Sequence, residues 1–313
     1  MMQNKNNLNL SPQISIVLGT YNRYDFLKLT IKNIREELKR FVLPAEIIVV
    51  DGGSTDETIP WLTQQKDIIS IIQHNRGAWQ NKPITRRSWG YFMNLAFKCS
   101  HGKYVCMVSD DCLLVPNAIA NGYKLFEAKL KNQEKIGALA FYWRNLPLLQ
   151  KNWAKNNTYH VLQVFDKIFV NHGMYLRKAL EEIDYIDEKT YQFYNADTDL
   201  CLRLDQKGYV CGDSPNSYVE HYNYANVGVR SKNESNQDIE TFYKKWNPVF
   251  NWPAGKNPGA TKNKEYVDEG KTAEQFLSVH SITPKTIAFI AKGKLQKKLL
   301  RPINLAKKLI GKL

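Results

Sequence analysis

No apolar run in this 313-residue chain approaches the roughly 18–20 residues that a membrane-spanning helix requires; even the strand-like stretch Glu46–Val50 is short. The opening residues, MMQNKNNLNLSPQ, lack the apolar core of a secretory signal, so residues 1–11 read as a polar leader. Cysteine is sparse and unpatterned. Cys99, Cys106, Cys112, Cys201 and Cys211 are odd in number and contain no C-x-x-C pair, which argues against a zinc site or a disulfide framework. A reducing, cytoplasmic compartment fits that usage, and the sequons at Asn156 and Asn233 are then accidental.

Acid is missing from the C-terminal end. From Lys285 onward there are nine Lys or Arg and no Asp or Glu, about two-thirds of the net charge of +14. Ile287, Ile290, Leu295 and Leu299 lie there at helical spacing beside Lys292, Lys294, Lys297 and Lys298, and Pro302 interrupts the run. Residues 283–313 are thus expected to form a basic amphipathic helical tail. Its apolar face either lies on an anionic membrane surface or packs on the rest of the chain, and charge alone does not choose. An RNA-binding tail should interleave stacking aromatics, yet Phe289 is the only one after Lys285; no nucleic-acid partner is expected.

Hydrophobic residues make up 43% of the chain and charged residues 24%, ordinary values for a globular protein of this length. Ile14–Leu18, Glu46–Val50, Ile68–Ile72 and Tyr104–Ser109 are short apolar runs of the kind buried in parallel sheets. Between them, Asp25–Leu38, Thr58–Gln65 and Ser88–Ser100 read as helices, with Asp25 as an N-cap of the first. Pro116 suits the first position of a helix reaching Leu130. The alternation predicts an α/β fold with a mostly parallel, Rossmann-like central sheet covered on both faces by helices. Further on, Arg144–Val164 reads as an irregular excursion, Phe169–Arg177 as a stretch around Gly173, Asp199–Lys207 as a helix stopped by Gly208, and Ser217–His221 as a last strand. The expected organisation is one α/β domain over 12–235, then an irregular linker over 236–282 and the tail.

In such a sheet, ligands bind beyond the carboxyl ends of the strands. Three of those ends carry polar residues: Gly19-Thr20-Tyr21-Asn22, Asp51-Gly52-Gly53-Ser54 and Ser109-Asp110-Asp111. Adjacent carboxylates after a buried strand repel unless a cation or donors compensate them, so Asp110-Asp111 is a divalent-metal candidate or an acidic helix start. Asp51 suits ribose hydroxyls, or a turn that favours Asp, Gly and Ser. A nicotinamide-dependent dehydrogenase would need G-x-G-x-x-G after the first strand, and Gly19-Thr20-Tyr21-Asn22-Arg23-Tyr24 does not supply it.

Four segments in order carry a resemblance. Ile14 to Arg23, then Glu46 to Thr58, resemble the opening of the family 2 glycosyltransferases. Asn94 and the run Gly102-Lys103-Tyr104 to Asp111 resemble the family's Asn and the strand leading to its D-x-D motif, with Val108 where a leading acid often stands. Asn195 to Leu204, followed by Gly208-Tyr209, resembles its "EDxDLxxRxxxxGY" segment, with Ala196 in place of the first acid. The likeness spans about residues 12–222. It implies a GT-A catalytic domain over 12–235, divided near 115 into nucleotide-binding and acceptor halves, and an inverting transfer of one sugar from a nucleotide-sugar donor, expected to be a UDP-sugar, to a glycan or lipid-linked glycan acceptor, with Mn²⁺ or Mg²⁺ as cofactor. By the same resemblance Thr20, Tyr21, Asn22, Asp51, Gly52, Asn94 and Asp110 bind the donor; Asp110, Asp111 and His221 hold the metal; Asp197 is the base; and Gly173 with Asp197 meets the acceptor. The Q-x-x-R-W signature of processive synthases is missing, which favours single-sugar transfer. His221 could equally pack at a strand end, and Asp197 could cap a helix. Trp79, Arg86, Arg87 and Trp89 could meet diphosphate or acceptor, although surface loops carry such residues without function. The rivals are a nucleotidyltransferase, which usually needs a glycine-rich loop with a Lys after the first strand, and a non-catalytic basic binding protein.

Overall fold

A computed structural model describes residues 11–145, 158–221, 235–253 and 256–266. In chain order, β1 (Ile14–Thr20) leads through α1 (Tyr24–Phe41) to β2 (Ala45–Asp51), and α2 (Thr58–Leu62) leads to β3 (Ile68–Ile72). A small hairpin of β4 (Ala78–Trp79) and β5 (Lys82–Pro83) precedes α3 (Trp89–Cys99), β6 (Tyr104–Met107), β7 (Cys112–Leu114) and α4 (Ala118–Lys131). There follow β8 (Ile136–Asn145), β9 (Thr158–Val164), β10 (Lys167–Phe169), β11 (Gly173–Leu176) and α5 (Arg177–Glu182). The last described elements are α6 (Ala196–Gln206), β12 (Val210–His221), α7 (Ser235–Trp246) and β13 (Gly259–Glu265).

The central sheet runs β10-β9-β8-β11-β6-β1-β2-β3. Strands β6, β1, β2 and β3 are mutually parallel, while β11 lies antiparallel between β6 and β8. β1 alternates between two buried layers. Val17 packs with Ala96 and Phe97 of α3, whereas Ile16 and Leu18 pack with Ile31 and Ile34 of α1 and Phe126 of α4. A strand buried on both faces takes a polar residue only where a partner meets it, as Glu46 meets Ser15, so the cluster of Thr20, Asp51 and the Asp110-Asp111 pair marks where the strands stop. Because β2 and β6 flank β1 on opposite sides, a crevice opens at their carboxyl ends. The α/β architecture, with a parallel core of β6, β1, β2 and β3, is present as anticipated.

Several local expectations are corrected. The span 236–282 is not an irregular linker where it is described, since it contains α7 and β13. Helix α7 buries Phe242 and Trp246, and its Asp238 carboxylate accepts the N–H groups of Gln192, Phe193 and Tyr194, each at 2.8 Å. β13, Gly-Ala-Thr-Lys-Asn-Lys-Glu, has little β-propensity but pairs with β9 at all seven positions from Gly259 to Glu265. The folded unit therefore reaches Tyr266, which packs against Tyr159 and Tyr218. Arg144–Val164 likewise contains the end of β8 and all of β9; residues 146–157 lie outside the described residues. Arg23, not Asp25, occupies the N-cap of α1; its own side chain makes no capping bond, and Asp56 Oδ2 accepts the Tyr24 N–H at 3.1 Å. Helix α4 begins at Ala118 rather than Pro116, after Asn117 adopts φ 71°. The leader (residues 1–10) and the tail (283–313) lie outside the described residues. Among the described residues no helix is long and apolar enough to cross a membrane.

Candidate active site

The loops after β1, β2 and β6 enclose a cavity of about 520 Å³ together with the segment from Gln192 to Thr198 and the end of β12. Asp110 and Asp111 lie at its base, 5% and 3% exposed. One guanidinium nitrogen of Arg23 sits 2.9 Å from Asp110 Oδ1 and 2.7 Å from Asp111 Oδ2. Thr20 donates its hydroxyl to Asp110 Oδ2 at 2.7 Å, and His221 Nε2 lies 3.3 Å from Asp111 Oδ1. Asp111 Oδ1 is buried and has that imidazole nitrogen as its one neighbouring donor, in poor hydrogen-bond geometry.

The electrostatics follow from crowding two acids beside one base. Burial opposes the charge on Asp111, yet the charges of Arg23 and His221 outweigh it and hold this carboxyl below the usual range. Burial, helped by the charge of Asp111, pushes Asp110 up to about 6 against the pull of Arg23. A pair of carboxylates, an imidazole and an unsatisfied carboxylate oxygen make a donor set that fits a hard divalent cation, with Arg23 supplying positive charge at the same place.

Asp197 lines the same cavity from the first turn of α6. Its Oδ1 accepts the Thr198 N–H at 2.9 Å and its Oδ2 accepts from Asn171 Nδ2 at 3.3 Å. Burial nevertheless raises its pKa, which makes the carboxylate a better proton acceptor. Asp199, two residues on, has a different occupation. It is fully buried and takes Arg203 Nε at 2.8 Å, Lys245 Nζ at 2.7 Å and Trp246 Nε1 at 2.9 Å, fastening α7 to α6.

Of the residues singled out in the sequence, Thr20, Tyr21, Gly52, Asp110, Asp111, Asp197 and His221 meet at this one cavity. Asn22, Asp51, Asn94 and Gly173 do not line it; each shapes a wall from behind. The Asp51 carboxylate is fully buried and accepts Gly53 N, Ser54 N and the Ser54 hydroxyl, the turn already weighed as an alternative. Asn22 Oδ1 accepts Thr55 N at 2.7 Å, tying the first strand end to the second. Asn94 clasps the backbone of Ile186 with both ends of its amide. Gly173 sits inside the sheet, where a Cβ would come within 2.1 Å of the Leu139 carbonyl oxygen. Arg86, Arg87 and Trp89 also line the cavity, while Trp79 stands out on the hairpin at 57% exposure. Sequence reasoning missed Arg23, Asn171 and the wall from Gln192 to Tyr194; Arg23 and Asn171 lay inside segments already singled out, around Thr20 and Gly173, but without a role.

A model of glycosyl transferase family 2 matches residues 15–183, more than half of the chain. The chain belongs to glycosyl transferase family 2. It is a glycosyltransferase, and the matched span includes Thr20, Gly52 and the Asp110-Asp111 pair but ends before Asp197 and His221. Among solved structures it is similar to the mannosyltransferase PcManGT from Pyrobaculum calidifontis in complex with GDP-Man and Mn²⁺, at 16% identity and TM-score 0.48, covering 96% of this chain and 84% of that one. It is also similar to a 1–349 fragment of S. aureus TarS, at 12% identity and TM-score 0.45, covering 75% and 73%. The same fragment in complex with UDP gives 15% identity and TM-score 0.47, covering 77% and 72%. A comparison with curated proteins finds no match.

Proposed function

We propose that this glycosyltransferase moves one sugar from a nucleoside-diphosphate donor, expected to be a UDP-sugar, to a hydroxyl of a surface-glycan acceptor, free or lipid-linked, with inversion at the anomeric carbon. The observation that carries the reading is the convergence of the Asp197 carboxylate with Asp110, Asp111 and His221 on one cavity. Asp197 takes the proton of the acceptor hydroxyl as that oxygen attacks the anomeric carbon; the bond to the diphosphate breaks on the opposite face, and a single displacement inverts the centre. Asp110, Asp111 and His221 are assigned to hold Mn²⁺ or Mg²⁺. Such a cation, when bound, supplies Lewis-acid stabilisation of the charge developing on the departing diphosphate. Tyr21, whose ring would meet a Cβ at Gly52 at 3.2 Å, and Thr20 form the donor side of the cavity, which Arg86 and Arg87 border with positive charge. Asp51, Asn22 and Asn94 act indirectly, by fixing the loops that carry these groups. The nine cations of residues 285–313 are assigned to seat the enzyme on the inner face of an anionic membrane; truncation at Thr283 should abolish co-sedimentation with anionic vesicles, and unchanged sedimentation refutes that role.

The test of the donor is thermal stabilisation by UDP, GDP, TDP and CDP, each with and without Mn²⁺. Metal-dependent stabilisation by UDP is the expected result. Stabilisation by none of the four diphosphates would overturn the reading.

A further inference from the structure

A second donor set lies directly behind Asp111. β7 pairs antiparallel with β12, and Cys112 stands opposite His221 in that register, so both side chains leave the sheet on the same face. His172, the residue before β11, completes the group. One ligand atom from each of Cys112, His172 and His221 lies within 4.8 Å of the other two. Cys112 Sγ is 3.8 Å from each ring nitrogen of His172, and the two imidazole centroids are 5.1 Å apart. Cys112 and His172 are buried, whereas His221 reaches the cavity and so provides a way in. His221 Nδ1 is a buried nitrogen with no hydrogen-bond partner. The Trp143 ring stands edge-on to both imidazoles, at 5.8 Å from His172 and 5.5 Å from His221, giving the group an apolar neighbour.

We propose that Cys112, His172 and His221 form a site for a thiophilic divalent cation of the Zn²⁺ type, distinct from the oxygen-rich position at Asp110 and Asp111. One thiolate and two imidazoles are the ligands that zinc and its soft neighbours select, and they are poor ligands for Mg²⁺. Binding replaces the thiol proton of Cys112, which leaves to solvent, and the cavity side offers room for a water or substrate atom as a fourth ligand. The lack of any C-x-x-C pair carried no hint of this, because the three ligands come from residues 112, 172 and 221 and meet only through strand pairing. His221 is common to both sets. Its Nε2 faces Asp111 while its Nδ1 is the unpartnered nitrogen, so a soft cation held there changes the charge beside Asp110 and Asp111 and inhibits transfer, a consequence that rests on the proposed transferase mechanism, although the binding itself does not.

The test uses Co²⁺ as a spectroscopic stand-in for Zn²⁺, titrated into the metal-free full-length protein. One equivalent should develop a near-ultraviolet thiolate-to-cobalt charge-transfer band, which Zn²⁺ abolishes and excess Mg²⁺ does not. Cys112→Ser should lose the band, and His172→Gln should bind Co²⁺ at least about ten-fold more weakly. Circular dichroism checks that each variant folds; if one does not, the other decides. Asp197→Asn should keep the band whatever happens to transfer, which separates failure of this site from failure of the transferase mechanism. No band in the wild-type protein, or a band of full intensity in Cys112→Ser (and so from another thiol), overturns the proposal.

Discussion

Replacing Arg23 by Gln removes the one guanidinium that spans Asp110 and Asp111. The pair it leaves behind is almost closed to water: the side chains of Asp110 and Asp111 are 8% and 4% exposed and that of Arg23 is 13% exposed. Removing one partner from a buried ion pair costs about 3–5 kcal/mol, because an uncompensated charge remains in a poorly solvated place. Here the Thr20 hydroxyl at 2.7 Å and His221 at 3.3 Å still face the carboxylates, so the lower end, about 3 kcal/mol, is expected. The assay is urea unfolding at neutral pH without divalent ions. Adding Mn²⁺ about 100-fold above its Kd should return roughly 2.7 kcal/mol to the variant, close to the loss. The same addition should stabilise the variant more than the wild type, in which Arg23 already neutralises the acids. A loss below about 1 kcal/mol, as for an exposed pair, would refute the reasoning.

Further outcomes follow from groups outside the cavity. Glu37 accepts Asn117 N at 3.0 Å and Ile119 N at 3.4 Å, joining α1 to the start of α4, and burial pushes its pKa from 4.5 up to about 7. A raised folded-state value means its contribution to stability is complete below 4.5 and is lost as pH rises through 7. That rise of about 2.5 in pKa amounts to about 3 kcal/mol. Glu37→Gln, which does not titrate, should flatten that part of the urea-unfolding profile, and parallel profiles for the two proteins would count against it. Gly173→Ala should destabilise by at least about 1–3 kcal/mol in the same measurement, since the clashing Leu139 oxygen belongs to the sheet backbone and has little freedom to move. Asp199→Asn should loosen α7 and raise hydrogen exchange across residues 235–246 while leaving α1 protected; uniform exchange would contradict the fastening role.

The fold was legible wherever burial is local and complete. Ile14–Thr20 and Ala45–Asp51 are apolar on both faces, and such a run has few uses besides a central parallel strand. Their polar ends then pointed to the crevice without further information. β13 was not legible, because Gly-Ala-Thr-Lys-Asn-Lys-Glu becomes a strand only by pairing with β9, about 100 residues earlier in the chain. Helix α7 was hidden for a related reason: Asp238 and Trp246 look like linker residues until the Gln192–Tyr194 backbone and Asp199 are brought to them. Within the site, residue type after a buried strand singled out Asp110 and Asp111, and the family resemblance singled out Asp197, but neither gave the role of Arg23, whose partners lie 87 and 88 residues away. Asp51 and Asn94 show the reverse error. Their positions beside the cavity are as expected, yet their polar atoms are consumed by backbone groups nearby.

The most direct measurement is the turnover of Asp197→Asn beside its affinity for donor diphosphate and Mn²⁺. Loss of the proposed base should lower kcat by about 10²-fold or more while diphosphate affinity stays within a factor of about two, because Asp197 comes from α6 and the acids assigned to the metal from the loop after β6. Transfer at the wild-type rate by a folded Asp197→Asn protein would contradict the account.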